Sequence, residues 1–356
     1  MQATEIQPRR STLDQDALPA MQQLPANGRR APITAVVIPC YRVTRQISDV
    51  LGEIPECVTW IFCVDDCCPD GSSEVIEAVA KEDCRIRLLR NEENQGVGGA
   101  VLAGYAAAVA AGADIIVKLD GDGQMDPRRI AHLIAPIVEG QADYVKGNRF
   151  FHPEDARGMP LVRLIGNAGL SFITKMSTGY WDLFDPTNGY TAICATVAAA
   201  LPSHKIARRY FFETDVLFRL GLLRAVVVDQ PMPCRYEDEE SNLNVWRALV
   251  EFPWLHACNT LKRIYYNYFL RNFSIASLNL ILGMLLIVSG ATIGVVQWRL
   301  HSLASEYASA GTVMLAAMPI LLGVQLLMNF LAHDMAGTPR APISRRLPRS
   351  GRAYTP

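Results

Sequence analysis

The chain has 356 residues, which is enough for two domains or for one large domain with an appendage. Its net charge is −1 and its pI is near 6.6, so no global basic field favours nucleic acid as a partner. Hydrophobic residues make up 50% of the sequence. This excess over an ordinary soluble enzyme lies after residue 272, so the composition predicts a globular part followed by an apolar one.

The N-terminal residues 1–31 are rich in Gln, Pro, Ala and Arg and contain no apolar segment of the length that secretion needs. We therefore expect a disordered tail without a signal peptide. Nine cysteines follow no disulfide framework, and most lie in apolar runs, as is typical of small buried residues in a reducing compartment. A zinc site at Cys63, Cys67 and Cys68 is the alternative, but it lacks a second pair at ligand spacing.

Short β-branched runs alternate with helical patterns over residues 32–243. The expected strands are 33–38, 59–64, 86–89, 114–119, 143–146 and 225–228. The expected helices are 44–53, 72–81, 98–111, 127–139, 161–176 and 213–222. This alternation predicts an α/β domain with a mainly parallel sheet and helices on both faces, whose ligands bind at the carboxyl ends of the strands.

Residues 244–272 carry aromatic and basic side chains at helical spacing, among them Trp254, Lys262, Tyr265 and Arg271. Such residues are at home at a membrane surface, so we expect interfacial amphipathic helices here. Ordinary packing against the α/β domain is the alternative.

Two uncharged segments, 274–298 and 312–332, lie within residues 273–333. Each has the roughly 20 residues that cross about 30 Å of hydrocarbon, so we expect two transmembrane helices. Lys and Arg flank the outer ends, and Arg299 is the only one in the connecting loop. The positive-inside bias predicts a hairpin, with the α/β domain, both termini and the basic tail 334–356 in the cytoplasm. The expected location is the inner (plasma) membrane.

Small residues in the first apolar segment, Gly283, Gly290 and Gly294, offer one route to self-association. The spacing of Gly290 and Gly294 matches the small-x-x-x-small pattern of associating membrane helices. This pattern leaves a homo-oligomer open as an assembly.

The strongest local signal is the turn that contains Asp120, Gly121, Asp122 and Gln124, directly after an apolar strand. Two carboxylates and an amide oxygen in a short turn suit Mg²⁺ or Mn²⁺, and such an ion would also grip a diphosphate. A calcium loop of EF-hand type is excluded, because residues 125 and 131 are Met and Ala where that loop needs Gly and Glu. A plain polar turn is the other interpretation.

Two weaker signals precede it. Asp65 and Asp66 end an apolar run, and acids at a strand end accept hydrogen bonds from a ribose or a base edge. The segment from Asn94 to Ala100 carries glycines into an Ala-rich helix, which permits close approach by a ligand or by another helix. Its spacing is neither that of the dinucleotide fingerprint nor that of a Walker loop.

Taken in order after Pro39 and Tyr41, these motifs resemble those of the family 2 nucleotide-sugar glycosyltransferases, whose fold is called GT-A. The resemblance extends through Lys146-Gly147-Asn148-Arg149 and the segment 185–190, Asp-Pro-Thr-Asn-Gly-Tyr, to about residue 335. With two C-terminal spans, the chain is most similar to the polyprenyl-phosphate branch, which includes dolichyl-phosphate mannosyltransferases. Arg42, Val43 and Cys68 depart from the usual family motifs, and the Q-x-x-R-W motif of processive polysaccharide synthases is missing.

The resemblance implies a role for each matching residue. The expected nucleotide-sugar contacts are Pro39, Tyr41, Asp65, Asp66, Gly98, Asp120 and Gly121. Asp120, Asp122 and Gln124 would hold Mg²⁺ or Mn²⁺. The acceptor phosphate would meet Arg149, Arg208, Arg209 and Arg235, and the expected catalytic residues are Asp122, Asp185, Arg149 and Glu213.

The same resemblance implies inverting transfer of a sugar from a UDP- or GDP-linked donor to a polyprenyl phosphate at the cytoplasmic membrane face. A phosphomonoester has a second pKa of about 6, so the acceptor is mostly ionised near pH 7 and needs positioning more than a strong base. The alternative is a family 2 enzyme that extends a lipid-diphosphate-linked saccharide. An inactive scaffold does not explain the retained Asp120, Asp122 and Gln124, and a nucleotidyltransferase does not explain the membrane hairpin.

Overall fold

The structure is a computed structural model that describes residues 30–149, 161–186, 188–232 and 245–347. Most of the expected N-terminal tail (1–29), Thr187, Arg235 and residues 348–356 lie outside the described residues.

One sheet of seven strands forms the centre of the described α/β domain. Its strands are β1 (Thr34–Cys40), β2 (Trp60–Asp65), β3 (Ile86–Arg90), β4 (Ile115–Lys118), β5 (Tyr144–Asn148), β6 (Thr191–Cys194) and β7 (Val227–Pro231). The strand order is β3-β2-β1-β4-β6-β5-β7. Only β6 runs antiparallel to its neighbours β4 and β5, so the prediction of a mainly parallel sheet is confirmed. The six predicted strands are present with shifted ends, and β6 is an addition.

Helices cover both faces of this sheet, as predicted. They are α1 (Ile47–Gly52), α2 (Ser72–Ala80), α3 (Val97–Ala110), α4 (Ile130–Val138), α5 (Leu161–Thr178), α6 (Ala195–Ala200) and α7 (Phe212–Leu223). Successive residues of a strand face opposite sides of the sheet. Val36 and Ile38 of β1 accordingly join a core with α1, α2 and α4, whereas Ala35 and Val37 join a second core with α3, α6 and α7.

The next helix, α8 (Val245–Tyr265), packs one side against the α/β domain. His256 Nδ1 lies 2.8 Å from the Ser177 hydroxyl, and the Asn259 amide donates to Asp215 at 3.3 Å. Its other side exposes Trp254 and Leu261. One side of α8 therefore packs on the α/β domain, as the alternative interpretation expected. A membrane contact of its exposed side stays a prediction.

After a π-helical turn (Tyr266–Arg271), the chain forms two long apolar helices, α9 (Ile275–Ala304) and α10 (Ala310–Ala336). Both are long and apolar enough to cross a membrane, with mean hydropathy of 2.2 and 1.9. Gly283 faces Gly323, and Gly290 faces Ala316. Because these pairs run in opposite directions along the chain, the helices form an antiparallel hairpin.

The close helix contact within the hairpin uses the small residues that the sequence offered for self-association. A Cβ added at Gly290 would lie 2.7 Å from the Ala316 carbonyl oxygen, and one at Gly283 would lie 3.0 Å from the Gly323 carbonyl oxygen. In this structure Gly283 and Gly290 are covered by α10 of the same chain, and a homo-oligomer stays a prediction.

A buried ion pair ties the end of this hairpin to α8, and the same carboxylate also bonds to Trp181 of the α/β domain. The Asp334 carboxylate accepts from both terminal nitrogens of Arg263 at 2.6 and 2.9 Å. It also accepts from Trp181 Nε1 at 2.9 Å and from the Tyr268 hydroxyl at 2.7 Å. Beyond the hairpin, the backbone N–H groups of Ile343 and Ser344 donate to Asp143 at 2.8 Å, so the described part of the basic tail docks on the domain.

Candidate active site

The predicted site residues gather at one edge of the sheet because the carboxyl ends of parallel strands share an edge. Tyr41 follows β1, Asp66 follows β2, Asp120 lies two residues beyond β4, and Arg149 follows β5. Pro39 is half-buried within β1, and the Tyr41 side chain is exposed beside the Arg42 guanidinium. These positions fit a wall of a nucleoside pocket, which stays a prediction.

The two acids at the end of β2 are buried and hold the neighbouring loops. One oxygen of Asp66 accepts from Gln95 N at 2.9 Å, and the other accepts from Gly96 N at 2.7 Å. Asp65 accepts from Cys68 N at 2.9 Å and from the Ser73 hydroxyl. Both carboxylates therefore shape the loops at this sheet edge, and a direct contact with a nucleoside stays a prediction.

The glycine segment before α3 is packed by the chain itself. Gly98 N donates to the Arg208 carbonyl at 2.9 Å, and a Cβ at Gly98 would lie 2.6 Å from the Phe212 ring. Helix packing thus accounts for this glycine, and a donor contact at Gly98 is untested. Arg208 and Arg209 border the same segment, where Arg208 Nη1 donates to the Gln95 side chain at 3.0 Å.

A buried lysine links two of the predicted site carboxylates. Lys118 Nζ lies 2.9 Å from Asp120 Oδ1 and 3.2 Å from Glu213 Oε1. Burial disfavours the charged form of Lys118, but attraction to Asp120 and Glu213 outweighs it and raises its pKa above the ordinary value. The structure therefore brings Asp120 and Glu213 together through one cation.

The turn after β4 has the donor chemistry of a divalent-cation site. Asp122 Oδ1 accepts from Gln124 N at 3.0 Å, which folds the turn back on itself, and Gly121 is buried against β1 and α1. The described residues contain no group of three His, Cys, Asp or Glu side chains placed to hold a metal ion. Two carboxylates and one amide instead fit Mg²⁺ or Mn²⁺, which take their remaining oxygens from substrate phosphates.

A second ion pair joins two residues that the sequence predicted as catalytic. Arg149 Nε lies 2.8 Å from Asp185 Oδ2. The side chain of Asp185 is 1% exposed and that of Arg149 is 36% exposed. The pair therefore places a partly exposed cation over a buried carboxylate at this edge of the sheet.

The segment that carries Asp185 rests on further buried polar groups. Lys146 Nζ donates to the Asn188 carbonyl at 2.5 Å, and the Asn188 amide donates to the Gly147 carbonyl at 2.6 Å. Burial lowers the pKa of Lys146 to about 8, against the attraction of Glu213 and Asp185. On β7, Asp229 accepts from Phe184 N at 2.6 Å, and burial raises its pKa to about 6.

Lys118, Lys146 and Asp229 were not among the predicted site residues. Each is a lone charged residue near the carboxyl end of an apolar strand, in IIVK, YVKGN and VVDQP. A charge in such a strand costs free energy unless it is paired. That pattern is the signal by which sequence reasoning could have found them.

Comparisons with known proteins bear on the family of this chain. A family model described as Glycosyl transferase family 2 matches residues 35–201, from β1 to α6. The UDP-N-acetylglucosamine–dolichyl-phosphate N-acetylglucosaminyltransferase of Methanococcus voltae is 32% identical over 188 residues, which cover 49% of this chain and 74% of that protein. The undecaprenyl-phosphate mannosyltransferase of Micrococcus luteus is 28% identical over 199 residues, 55% of this chain and 81% of that protein.

Among solved structures, one similar protein is glucosyl-3-phosphoglycerate synthase from Mycobacterium tuberculosis in complex with Mn²⁺, UDP and glucosyl-3-phosphoglycerate. It is 20% identical, and the alignment covers 73% of this chain and 86% of that chain with a TM-score of 0.46.

Proposed function

Because this chain belongs to glycosyltransferase family 2, we propose that it moves a sugar from a nucleotide-sugar to a polyprenyl phosphate at the cytoplasmic face of the inner (plasma) membrane. The observation that carries the proposal is the bond between Trp181 Nε1 and Asp334 of the apolar hairpin. Trp181 lies four residues before Asp185, which is at most about 14 Å of extended chain. The site is thereby joined to the hairpin by a short segment, as an enzyme with a lipid-borne acceptor requires.

The proposal keeps the domain limits that were predicted from the sequence. Residues 32–243 would be the catalytic domain, 244–272 an interfacial region and 273–333 the membrane hairpin, with 334–356 as a basic tail. The positive-inside bias supports a cytoplasmic position of the domain and of both termini. The exposed Trp254 and Leu261 of α8 support its contact with the membrane surface.

The donor would bind at the turn after β4, between the loops that Asp65 and Asp66 hold. Asp120, Asp122 and Gln124 would hold Mg²⁺ or Mn²⁺, which when bound would screen the charge of the nucleoside diphosphate as it leaves. Lys118 fixes the Asp120 carboxylate at 2.9 Å. Glu213, on the other side of Lys118, would lie beside the sugar.

The acceptor phosphate would meet Arg149, with Arg208, Arg209 and Arg235 as further candidates. A guanidinium suits phosphate oxygens, and Asp185 fixes its plane by accepting from Nε and Nη2. An already ionised phosphate needs orientation more than proton removal. We therefore assign a single displacement with inversion at the anomeric carbon, in which Asp185 orients rather than deprotonates.

A panel of UDP- and GDP-sugars with undecaprenyl phosphate in detergent, with and without Mn²⁺ or Mg²⁺, tests the proposal. We expect metal-dependent formation of one lipid-linked sugar. Asp122→Asn should abolish it, whereas Asp49→Asn on the exposed side of α1 should not. If only a lipid-diphosphate-linked saccharide is extended, the alternative acceptor is right and the proposed acceptor is wrong.

A further inference from the structure

A cavity of about 410 Å³ lies at the elbow where the apolar hairpin joins the α/β domain. Its wall is formed by the ends of α5 and α7, by the π-helical turn, by the start of α9 and by the end of α10. Arg224 of this wall caps the end of α7, and Glu213 of the active site lies in the first turn of the same helix. Eleven residues of α-helix separate the two by about 16 Å, so the cavity is distinct from the active site.

The charge of the elbow cavity is positive. Arg224, Arg263, Arg271 and His333 line it, and its described lining contains no Asp or Glu. Asp334 neutralises Arg263 alone. Arg224 donates to the Gly337 carbonyl at 3.1 Å and Arg271 to the Leu222 carbonyl at 2.5 Å, bonds that hold both guanidinium groups without cancelling their charge. Two such groups at one cavity favour a phosphate.

Two further features point to the same ligand chemistry. Ser274 is the N-cap of α9 and lines the cavity, so the positive end of the helix dipole adds to the field there. Asn267 Oδ1 is buried and has no hydrogen-bond partner among the described residues. A buried acceptor without a partner costs free energy, which a ligand hydroxyl would recover. The cavity thus offers cations for a phosphate and an acceptor for a hydroxyl.

The position of the cavity decides between a lipid and a free anion. Ser274 begins one apolar helix, and His333 lies in the last turn of the other. In a membrane-spanning hairpin these two ends lie at headgroup depth, where basic pockets bind anionic lipid headgroups. We propose that the elbow cavity binds the headgroup of an anionic phospholipid that carries a hydroxyl, of the phosphatidylglycerol type. The inference rests on the membrane position in the proposed function but not on the transfer reaction.

The test measures lipid retained by the full chain without any donor. Protein purified in detergent is incubated with phosphatidylglycerol or phosphatidylcholine, and native mass spectrometry counts the bound lipid. We expect retention of phosphatidylglycerol over phosphatidylcholine, and a loss of at least about tenfold in Arg224→Gln/Arg271→Gln, since a hydrogen bond to a charged group contributes about 1.5 to 3 kcal/mol. Lys262→Gln/Arg299→Gln, which removes two charges outside the cavity, should retain the lipid.

Arg224→Lys/Arg271→Lys keeps the charge and should retain most of the lipid, which separates a binding defect from a folding defect. Equal retention by the Gln pair and its control would overturn the proposal, as would equal retention of the two lipids. Displacement by inorganic phosphate as effective as by phosphatidylglycerol would make it a free-anion site and overturn the lipid assignment. Sugar transfer by the same preparations reports separately on the proposed function.

Discussion

The guanidinium of Arg149 is held edge-on by the carboxylate of Asp185, with Nε 2.8 Å from Oδ2 and Nη2 3.3 Å from Oδ1. The two residues are 36 positions apart in the chain. The carboxylate is buried and the guanidinium is partly exposed, so the pair presents a fixed cation at the carboxyl edge of the sheet. In our account this is where the acceptor phosphate is bound and oriented.

Replacing Asp185 by Asn should lower kcat with the lipid acceptor by about 100-fold, because loss of orientation at a reacting group costs that order of rate. Asp182→Asn, an exposed neighbour on the same segment, should leave kcat unchanged. Steady-state transfer to undecaprenyl phosphate gives both values. Near-normal turnover by Asp185→Asn would show that the carboxylate has no such role.

Lys118→Met should lower the free energy of unfolding by about 3 kcal/mol, since it leaves Asp120 and Glu213 without the buried cation between them. The variant should also bind the donor more weakly, because Asp120 is no longer held. Denaturant titration in detergent and calorimetry with the donor nucleotide measure the two effects. Lys81→Met, at an exposed position after α2, is the matched control, and equal stability of the two variants would refute the pairing.

The parallel part of the sheet could be predicted because β1, β2 and β4 are apolar, β-branched runs bounded by turn residues. The strand β6 was not predicted, since its four residues Thr191–Cys194 run directly into the helix Ala195–Ala200. Its antiparallel position between β4 and β5 depends on pairings across the chain, such as Lys118 with Thr191. Local patterns do not contain that information.

Asp229 should make stability fall as the pH rises. Its pKa is raised by burial from 3.8 to about 6, so the folded state holds a proton that the unfolded chain has already lost between these values. The proton on Asp229 therefore stabilises the folded state fully below about pH 3.8, and this stabilisation is lost as the pH rises through about 6. It amounts to at most about 3 kcal/mol of unfolding free energy.

Asp229→Asn retains an acceptor for Phe184 N and should remove this part of the pH dependence. Free energies of unfolding measured from about pH 4 to about pH 7.5 test this pH dependence, because that range includes the folded-state pKa of about 6. Asp182→Asn is the comparison. An unchanged slope in Asp229→Asn would contradict the assignment.

The Arg263–Asp334 pair should be a main tie between the hairpin and α8, whose Arg263 also donates to the Met176 carbonyl of the α/β domain. Removing one partner, in Arg263→Met or Asp334→Leu, leaves a buried charge and should cost about 3 to 5 kcal/mol of unfolding free energy. The double variant should recover part of that loss, because an apolar pair carries no uncompensated charge. Thermal unfolding in detergent measures all three, with Lys262→Met as control. Additive losses in the double variant would argue against a direct coupling.

The site was predicted at the level of motifs more than of contacts. Short motifs after β4 and β5 offered Asp120 and Arg149 as candidates, and the motif 185–190, which precedes β6, offered Asp185. The bond from Lys118 to Glu213 spans 95 positions, and only the fold brings these two residues together. The packing of Gly98 against Phe212 likewise depends on the fold, and the predicted donor contact at Gly98 stays a prediction.

The most direct test of the central claim is the identity of both products after incubation with a reactive nucleotide-sugar and undecaprenyl phosphate. Mass spectrometry of the lipid and chromatography of the nucleotide report them together. Our account predicts a lipid that has gained one sugar and retains a single phosphate, with release of the nucleoside diphosphate. Release of the nucleoside monophosphate with a lipid diphosphate product would show transfer of a sugar phosphate instead, and would contradict the account.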